Sequence, residues 1–247
     1  MRDAADRKMT LSSASSTRPV ASISVIVPTL NEALQLPHTL SHIQLSSGDE
    51  LIVVDGGSRD RTVSIARRFT SAVLTGPVGR AQQMNCGASR AQGDILLFLH
   101  ADTLLPPQGL AAVRQAMRSS DVVGGAFCLA FVPSTPALRV VAWGTNLRAR
   151  YGRLPYGDQA LFVRRPLFWH LGGYDHVPFL EDVKLVQALR RQGLFVILPD
   201  RVQTSSRRWL QDGVVYTTLR NNVLMALYFC GVSPTTLKRW YRSRRRS

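Results

Sequence analysis

Three short runs of apolar, largely branched residues frame the first half of the chain: residues 22–28 (SISVIVP), 50–55 (ELIVVD) and 94–99 (DILLFL). Each is too short for a globular helix. Each is also apolar at consecutive positions, the pattern of a strand buried on both faces. Between the runs the spacing turns helical. Asn31 and Glu32 can begin a helix to about Leu45, 60–69 sets Ile65 and Phe69 on one face, and 79–92 carries Ala81, Met84 and Ala88 as an apolar stripe. A short further strand is expected at 72–74, and Pro106-Pro107 suits a helix start running to about Arg118. Strands alternating with helices through short connections build βαβ units, hence a parallel sheet with helices on both faces. Ligands of such sheets bind outside the carboxyl ends of the strands.

The second half is less regular. Residues 122–131 and 160–163 read as strands and 135–150 as a helix. A helix at 181–191 precedes a strand at 195–198, and 212–230 reads as one helix. Six cations crowd between Lys238 and Arg246. The expected organisation is a polar, disordered tail over 1–18, one Rossmann-like α/β domain over 20–232 with a mostly parallel sheet and C-terminal helices, and a basic helix or tail over 233–247.

The chain's 31 Lys+Arg against 16 Asp+Glu give it a net charge of +15, and 28 of those cations are arginine. A positive field favours anionic partners: nucleotide phosphates, nucleic acid or acidic lipid. The scarce acids are more informative. Asp55, Asp60, Asp102, Glu181 and Asp182 fall at or near the ends of apolar runs, where a parallel sheet keeps its site. Cys86, Cys128 and Cys230 have no CxxC spacing, so neither a disulfide framework nor a thiolate zinc site is expected, which suits a reducing, cytoplasmic setting. No secretory leader is expected from the polar N-terminus. The longest apolar run, 223–232, is ten residues, half of what a membrane span needs, roughly 20. Followed by the basic segment, it suits either peripheral attachment to an anionic membrane or a docked helix with a solvated tail.

A dinucleotide-binding enzyme would carry GxGxxG after its first strand; Pro28-Thr29-Leu30-Asn31-Glu32 stands there instead, and no GxxxxGK[ST] occurs anywhere. The segments VIVPTLNE (25–32), VVDGGSRD (53–60), NCGASRAQGDILLFLHAD (85–102), GGYDHVPFLED (172–182) and RRW (207–209) follow in an order that resembles the family 2 glycosyltransferases. The likeness runs over about residues 22–210. FLHADT with GGAF, YGDQ, PFLEDV and SSRRW further resembles a bacterial subgroup labelled arsenosugar-biosynthesis or radical-SAM/selenodomain-associated transferases.

The resemblance implies a GT-A fold and hexosyl-type transfer from a nucleotide diphosphate sugar to an unidentified acceptor hydroxyl. Pro28, Thr29, Asn31, Glu32, Asp55, Gly56, Ser58, Arg80 and Asn85 would then form the nucleotide side, with Glu32 at the ribose and Asp55 at an N–H of the base. Asp102 would hold a divalent cation, Mg2+ or Mn2+, since hard cations take oxygen ligands. The family's D-x-D reads His100-Ala101-Asp102 here. His100, Glu181, Arg208 and Trp209 would lie near the diphosphate and acceptor, with Arg207 a further phosphate candidate. Asp182 would be the general base, and one base without a covalent nucleophile implies inversion. Asp158 falls in the YGDQ segment, near the acceptor.

Structural roles compete at each position. Asn31-Glu32 can cap a helix, Asp55 can close an Asx-turn, His100 can pack at a strand end, and Glu181-Asp182 can complement a helix dipole. Asn85, on the inward side of its helix, can steady the Asp102 loop or satisfy backbone groups. Among other functions, a nucleotidyltransferase would carry glycine and a cation after the first strand. A nucleic-acid binder would interleave cations with aromatics, whereas the arginines here are scattered, so no nucleic-acid partner is expected. A non-catalytic relative would not need Asp55, Asp102 and Asp182 together.

Overall fold

The computed structural model describes residues 21–177 and 180–243; the expected N-terminal tail lies outside the described residues. The chain runs Ile23–Thr29 (β1), Leu36–Ser41 (α1), Glu50–Asp55 (β2), Thr62–Ala66 (α2), Val73–Thr75 (β3), Arg80–Arg90 (α3), Ile95–Phe98 (β4) and Thr103–Leu104 (β5). Gly109–Ala116 (α4), Val122–Val132 (β6), Pro136–Gly152 (α5), a 3₁₀ turn at Gly157–Gln159, Leu161–Arg164 (β7) and Arg165–His170 (α6) follow. Glu181–Arg190 (α7), Leu194–Ser205 (β8), Arg207–Asp212 (α8), Val214–Phe229 (α9) and Pro234–Ser243 (α10) complete it.

The eight strands form one sheet in the order β3-β2-β1-β4-β7-β6-β8-β5. β3, β2, β1 and β4 are mutually parallel. Alternate residues along them serve opposite cores. Ile26, Ile52, Val54, Leu96 and Phe98 pack under α3 and α7, while Val25, Val27, Leu51, Val53 and Leu97 pack with Val113 of α4. This explains the unbroken apolar runs: neither face meets water, and each buried branched side chain contributes about 1.5–3 kcal/mol.

β7 enters antiparallel beside β4, with Phe98 opposite Leu161. The residues preceding β7 therefore arrive where β4 ends. β6 and β8 are parallel to each other, with Val132 opposite Ser205, and β5 returns antiparallel to β8 immediately after Asp102. The Ser205 N–H donates to the Asp102 carbonyl at 3.0 Å. The ends of β1, β2, β4 and β8 and the start of β7 thus share one rim. At the opposite pole, Asp49 pairs with Arg114 and accepts the Ile23 N–H, and Glu50 accepts from Ser24, Gln92 and Gly93. Those acids hold the strand starts.

Several element boundaries differ from the sequence expectation. The helix expected from Asn31 begins at Leu36, because Asn31 is left-handed (φ 54°) and the Glu32 carbonyl closes a turn onto Gln35 and Leu36. The helix expected over 60–69 contracts to Thr62–Ala66, burying Thr62 and Ala66 and leaving Phe69 exposed. Gly213 (φ 87°) splits the helix expected over 212–230. β8 continues past the expected end at 198: Pro199 offers no N–H, and the ladder resumes after a register shift with Arg201 opposite Cys128. The basic C-terminal segment begins as α10, whose Leu237 is fully buried in the same core as α3 and α7.

β6 crosses β7 and β8 at Gly124-Gly125. A Cβ at Gly125 would lie 2.4 Å from Phe162 Cζ and 2.5 Å from the Val196 carbonyl oxygen. Gly125→Ala is expected to destabilise the protein by about 3 kcal/mol, through overpacking. Urea unfolding would measure it, and an unchanged midpoint would contradict the close strand packing.

Candidate active site

The loops after β1 and β2 are tied together by side chains. Asp55, only 3% exposed, accepts the N–H groups of Gly57 and Ser58 on Oδ2, each at 2.8 Å. Its Oδ1 accepts the hydroxyls of Ser58 and Thr29. Asp55 therefore builds the Asx-turn at its own strand end. The Asn31 N–H donates to Ser58 Oγ at 2.8 Å, and Asn31 Oδ1 accepts the Arg59 N–H at 2.9 Å. Asp60 accepts from Ala33 and Thr62, and the Thr62 hydroxyl bond holds its carboxyl below the usual range. Beneath these loops, Gln83 Nε2 donates to the carbonyls of Thr29 and Val54, both at 2.8 Å. Its amide lies against Gly56. Sequence reading passed over Gln83; its signal is a polar residue set between Ala81 and Met84 on a buried face.

Across the rim stands a second cluster. Arg80 opens α3 with its side chain 46% exposed, and its Nη1 lies 3.6 Å from Glu181 Oε1. It also feels the charges of Asp182, Asp102 and Asp158. Glu181 is buried, and burial raises its pKa; the adjacent Asp182 adds to this and Arg80 opposes it. Asp182 Oδ2 accepts the Gly157 N–H at 2.6 Å, and its Oδ1 accepts the Val183 N–H at 2.8 Å. A Cβ at Gly157 would lie 3.1 Å from His100 Nε2 and 3.2 Å from Asp182 Oδ2. Glycine at 157 therefore leaves room between these two groups.

His100 Nε2 is buried without a hydrogen-bond partner among the described residues. Burial, with Arg80 and Arg208 nearby, depresses its pKa well below the usual value, so the imidazole is neutral at pH 7. Asp158 Oδ1 is likewise buried and unpartnered. Burial lifts the Asp158 pKa to about 6, helped by Asp182 and Asp102 and opposed by Arg148 and Arg80. Asp102 lies between the two loop systems, and its carboxylate accepts no hydrogen bond among the described residues.

Glu32 is half-buried. Burial raises its pKa against the pull of Arg207, whose Nη2 lies 3.4 Å away. Arg208 Nη1 donates to Tyr241 Oη at 3.2 Å, so α10 reaches this rim. Lys238 of α10 also lines a cavity of about 210 Å³ beside Arg80, Glu181 and His176.

The structure thus brings Glu32, Arg80, His100, Asp102, Asp158, Glu181, Asp182 and Arg208 to one rim. Two expected site residues make structural contacts beside the rim. Asn85 holds the backbone of Tyr174 with its amide, accepting its N–H at 2.9 Å and donating to its carbonyl at 2.8 Å. It anchors the Gly172–Tyr174 loop. Trp209 packs on Phe131 with ring centroids 5.2 Å apart, fastening α8 and with it Arg207 and Arg208. Asn31, Leu180 and Ala160, all non-glycine residues with positive φ, flank the rim loops. Such conformations persist only where surrounding contacts hold them.

The chain is similar to known proteins in sequence and in fold. An undecaprenyl-phosphate 4-deoxy-4-formamido-L-arabinose transferase of Pseudomonas syringae is 31% identical over 120 residues, 43% of this chain and 36% of that protein. The match thus spans about a third of that relative's length. A PGL/p-HBAD biosynthesis glycosyltransferase of Mycobacterium bovis is 35% identical over 173 residues, 62% of either chain. Among solved structures, a mannosyltransferase from Pyrobaculum calidifontis in complex with GDP-Man and Mn2+ superposes with a TM-score of 0.58. It is 24% identical, over 73% of this chain and 56% of that one. Glucosyl-3-phosphoglycerate synthase from Mycobacterium tuberculosis, with Mn2+ and UDP-Glc, superposes at 0.56 with 21% identity, over 73% and 70%. These likenesses establish the GT-A fold. Residues 24–166 match the Glycosyl transferase family 2 profile, and the chain belongs to that family.

Proposed function

We propose that this protein transfers a sugar from a nucleoside diphosphate sugar to an acceptor hydroxyl, with inversion at the anomeric carbon. One observation carries the reading: in an acid-poor chain, Asp102, Asp158, Glu181 and Asp182 converge on Arg80 at the carboxyl ends of a parallel sheet. The paired loops after β1 and β2 would receive the nucleoside, with Glu32 facing the ribose. Asp55 shapes that side through its turn, which engages all four of its acceptor sites, and a base N–H would have to displace one of those donors.

The reaction forms a bond from the acceptor oxygen to the anomeric carbon and breaks the bond from that carbon to the diphosphate. Negative charge grows on the leaving diphosphate, where Arg208 and Arg80 supply guanidinium donors. Asp102 fits a divalent cation in one respect: it is a half-buried carboxylate on the rim that accepts no hydrogen bond among the described residues. No group of three or more ligating side chains occurs among the described residues. A Mg2+-like ion binds through one or two carboxylates plus substrate phosphates, so Asp102 with the donor diphosphate would hold it. Such an ion would supply further charge neutralisation at the diphosphate.

Asp182 takes the proton from the attacking hydroxyl. Its carboxylate is held by Gly157 and Val183, and neutral His100 beside it can hydrogen-bond a sugar or acceptor hydroxyl. Asp158 faces the same space and would hold an acceptor or sugar hydroxyl. The HAD and YGDQ segments, which carry the likeness to the arsenosugar-associated subgroup, meet at this point, so the subgroup's distinguishing residues would serve the acceptor side.

Asp182→Asn is expected to reduce turnover by at least about 10²-fold, the scale of general-base catalysis, with nucleotide affinity nearly unchanged. Wild-type turnover in that variant would remove Asp182 as base. A thermal-shift panel of UDP-, GDP-, ADP- and dTDP-sugars with Mg2+ or Mn2+ would identify the donor, since a ligand at 100 times its dissociation constant stabilises the fold by about 2.7 kcal/mol. Asp102→Ala should abolish the metal dependence of that shift. If EDTA leaves both the wild-type shift and turnover intact, Asp102 holds no metal.

Asp158 makes a separate pH prediction. Its folded pKa of about 6 lies above the ordinary 3.8, so its contribution to stability is full below pH 3.8 and is lost as pH rises through 6. After allowance for partial exposure, Asp158→Asn should be more stable than wild type by about 2 kcal/mol at pH 8 and equal to it at pH 3.5. Urea midpoints at the two pH values test this. A gain of the same size at both would show that burial, not charge, sets the difference.

A further inference from the structure

α5 and α9 each bury one side and turn an apolar stripe to the outside. α5 buries Leu138 and Ala149 against the sheet. Val140, Trp143, Leu147 and Tyr151, spaced by three, four and four residues, lie on its opposite face, with Trp143 66% and Tyr151 81% exposed. α9 buries Thr217, Leu224 and Met225. Val215, Leu219 and Val223, spaced by four, are all exposed, Leu219 at 60%. The two helices pack against one another through Leu138 and Val214, around Phe131 and Trp209. Single exposed apolar residues are ordinary on a protein surface. Seven in two stripes on adjoining helices are not.

The charge on the two helices that carry the stripes is of one sign; Asp212, just before α9, pairs with Arg220. Residues 122–157 and 213–247 contain no Asp or Glu. Arg139 and Arg150 are exposed on the flanks of the α5 stripe, and α10 adds Lys238 and Arg239. Exposed Trp and Tyr, apolar helix faces and helices whose charges are all cationic match the amphipathic surfaces that lie in a bilayer interface. Among the described residues no helix is long and apolar enough to cross a membrane.

We propose that the outward faces of α5 and α9 form a docking surface for an anionic lipid bilayer. The sequence suggested only the run 223–232 and the basic tail. The structure turns Leu224 and Met225 of that run inward and supplies the larger stripe from α5. α5 leads directly into the segment carrying Gly157 and Asp158, so a docked α5 would hold the catalytic rim at a fixed position near the lipid headgroups. The docking surface does not depend on the reaction proposed above.

Co-sedimentation of the full chain with phosphatidylcholine vesicles, with and without about 30% phosphatidylglycerol, tests the surface. Wild type is expected to bind the anionic vesicles and to release as salt rises. The combined variant Trp143→Ser, Leu147→Ser, Leu219→Ser should bind at least about tenfold more weakly with an unchanged thermal midpoint, because all three side chains are exposed. Arg139→Glu with Arg150→Glu should lose the preference for anionic over neutral vesicles. Acyl-chain bromine should quench wild-type tryptophan fluorescence, and Trp143→Phe should remove most of that quenching. Equal vesicle binding by wild type and the triple variant would overturn the proposal. So would a wild type that ignores vesicles but is a dimer by light scattering and becomes a monomer in the triple variant, since the stripes would then join two copies of this chain.

Discussion

The pairing of β1 with β2 on one side and β4 on the other is the constraint on which the remaining geometry rests. In that ladder Thr29 lies opposite Asp55, and Ile26 lies opposite Phe98, two residues before His100. Three chain segments distant in sequence are thereby set side by side, with their loops emerging together. A one-residue slip of any strand would exchange its two buried faces. Both faces are filled by different cores, so the register is strongly specified. Gln83 completes the arrangement from below by hydrogen-bonding the Thr29 carbonyl at the end of β1 and the Val54 carbonyl one residue before the end of β2.

The antiparallel insertion of β7 has an equally direct consequence. A parallel strand in that place would deliver its C-terminal residues to the rim. The reversed strand delivers its preceding turn, and with it Gly157 and Asp158. β8 brings Arg207 and Arg208 to the same place by running on to Ser205, beside Asp102. Packing of Trp209 on Phe131 and of Phe98 with Phe168 and Tyr174 fixes these loops from outside the polar centre. Apolar contacts thus position charges that would repel one another in an unsupported loop.

How far the sequence disclosed this depended on the kind of signal. β1, β2 and β4 were legible because double-sided burial leaves an unbroken apolar run. The motif acids were legible because carboxylates are rare in this chain and stand at run ends. The mixed second half of the sheet was not, since strand direction leaves no local trace in residues 161–164 or 194–205. Asn85 and Trp209 were placed by family likeness in the site, and the structure gives them supporting work nearby: one clamps the Tyr174 backbone and the other fastens α8. Asp55 shows the limit of choosing between a structural and a functional role. It is an Asx-turn residue in fact, and the loop proposed to receive the nucleoside takes its shape from that turn.

Asp182 carries the same double duty. A carboxylate oxygen has two lone pairs, and Gly157 uses one on Oδ2 while Val183 uses one on Oδ1. The bonds fix the orientation of the carboxylate while leaving acceptor capacity for the hydroxyl it is proposed to deprotonate. Tying it to Gly157 also ties it to the loop that carries Asp158, and through α5 to the apolar stripe outside. A shift in α5 would therefore move the proposed base and its neighbouring acid together. The chain's two extremes of composition meet in this connection. Segments with no acid at all form the outer helices, while the few acids are gathered at the rim those helices support. The +15 charge is accordingly not spread evenly. At the rim Arg80, Arg207 and Arg208 stand among the acids, while cations without acids lie on the helices assigned to the lipid surface.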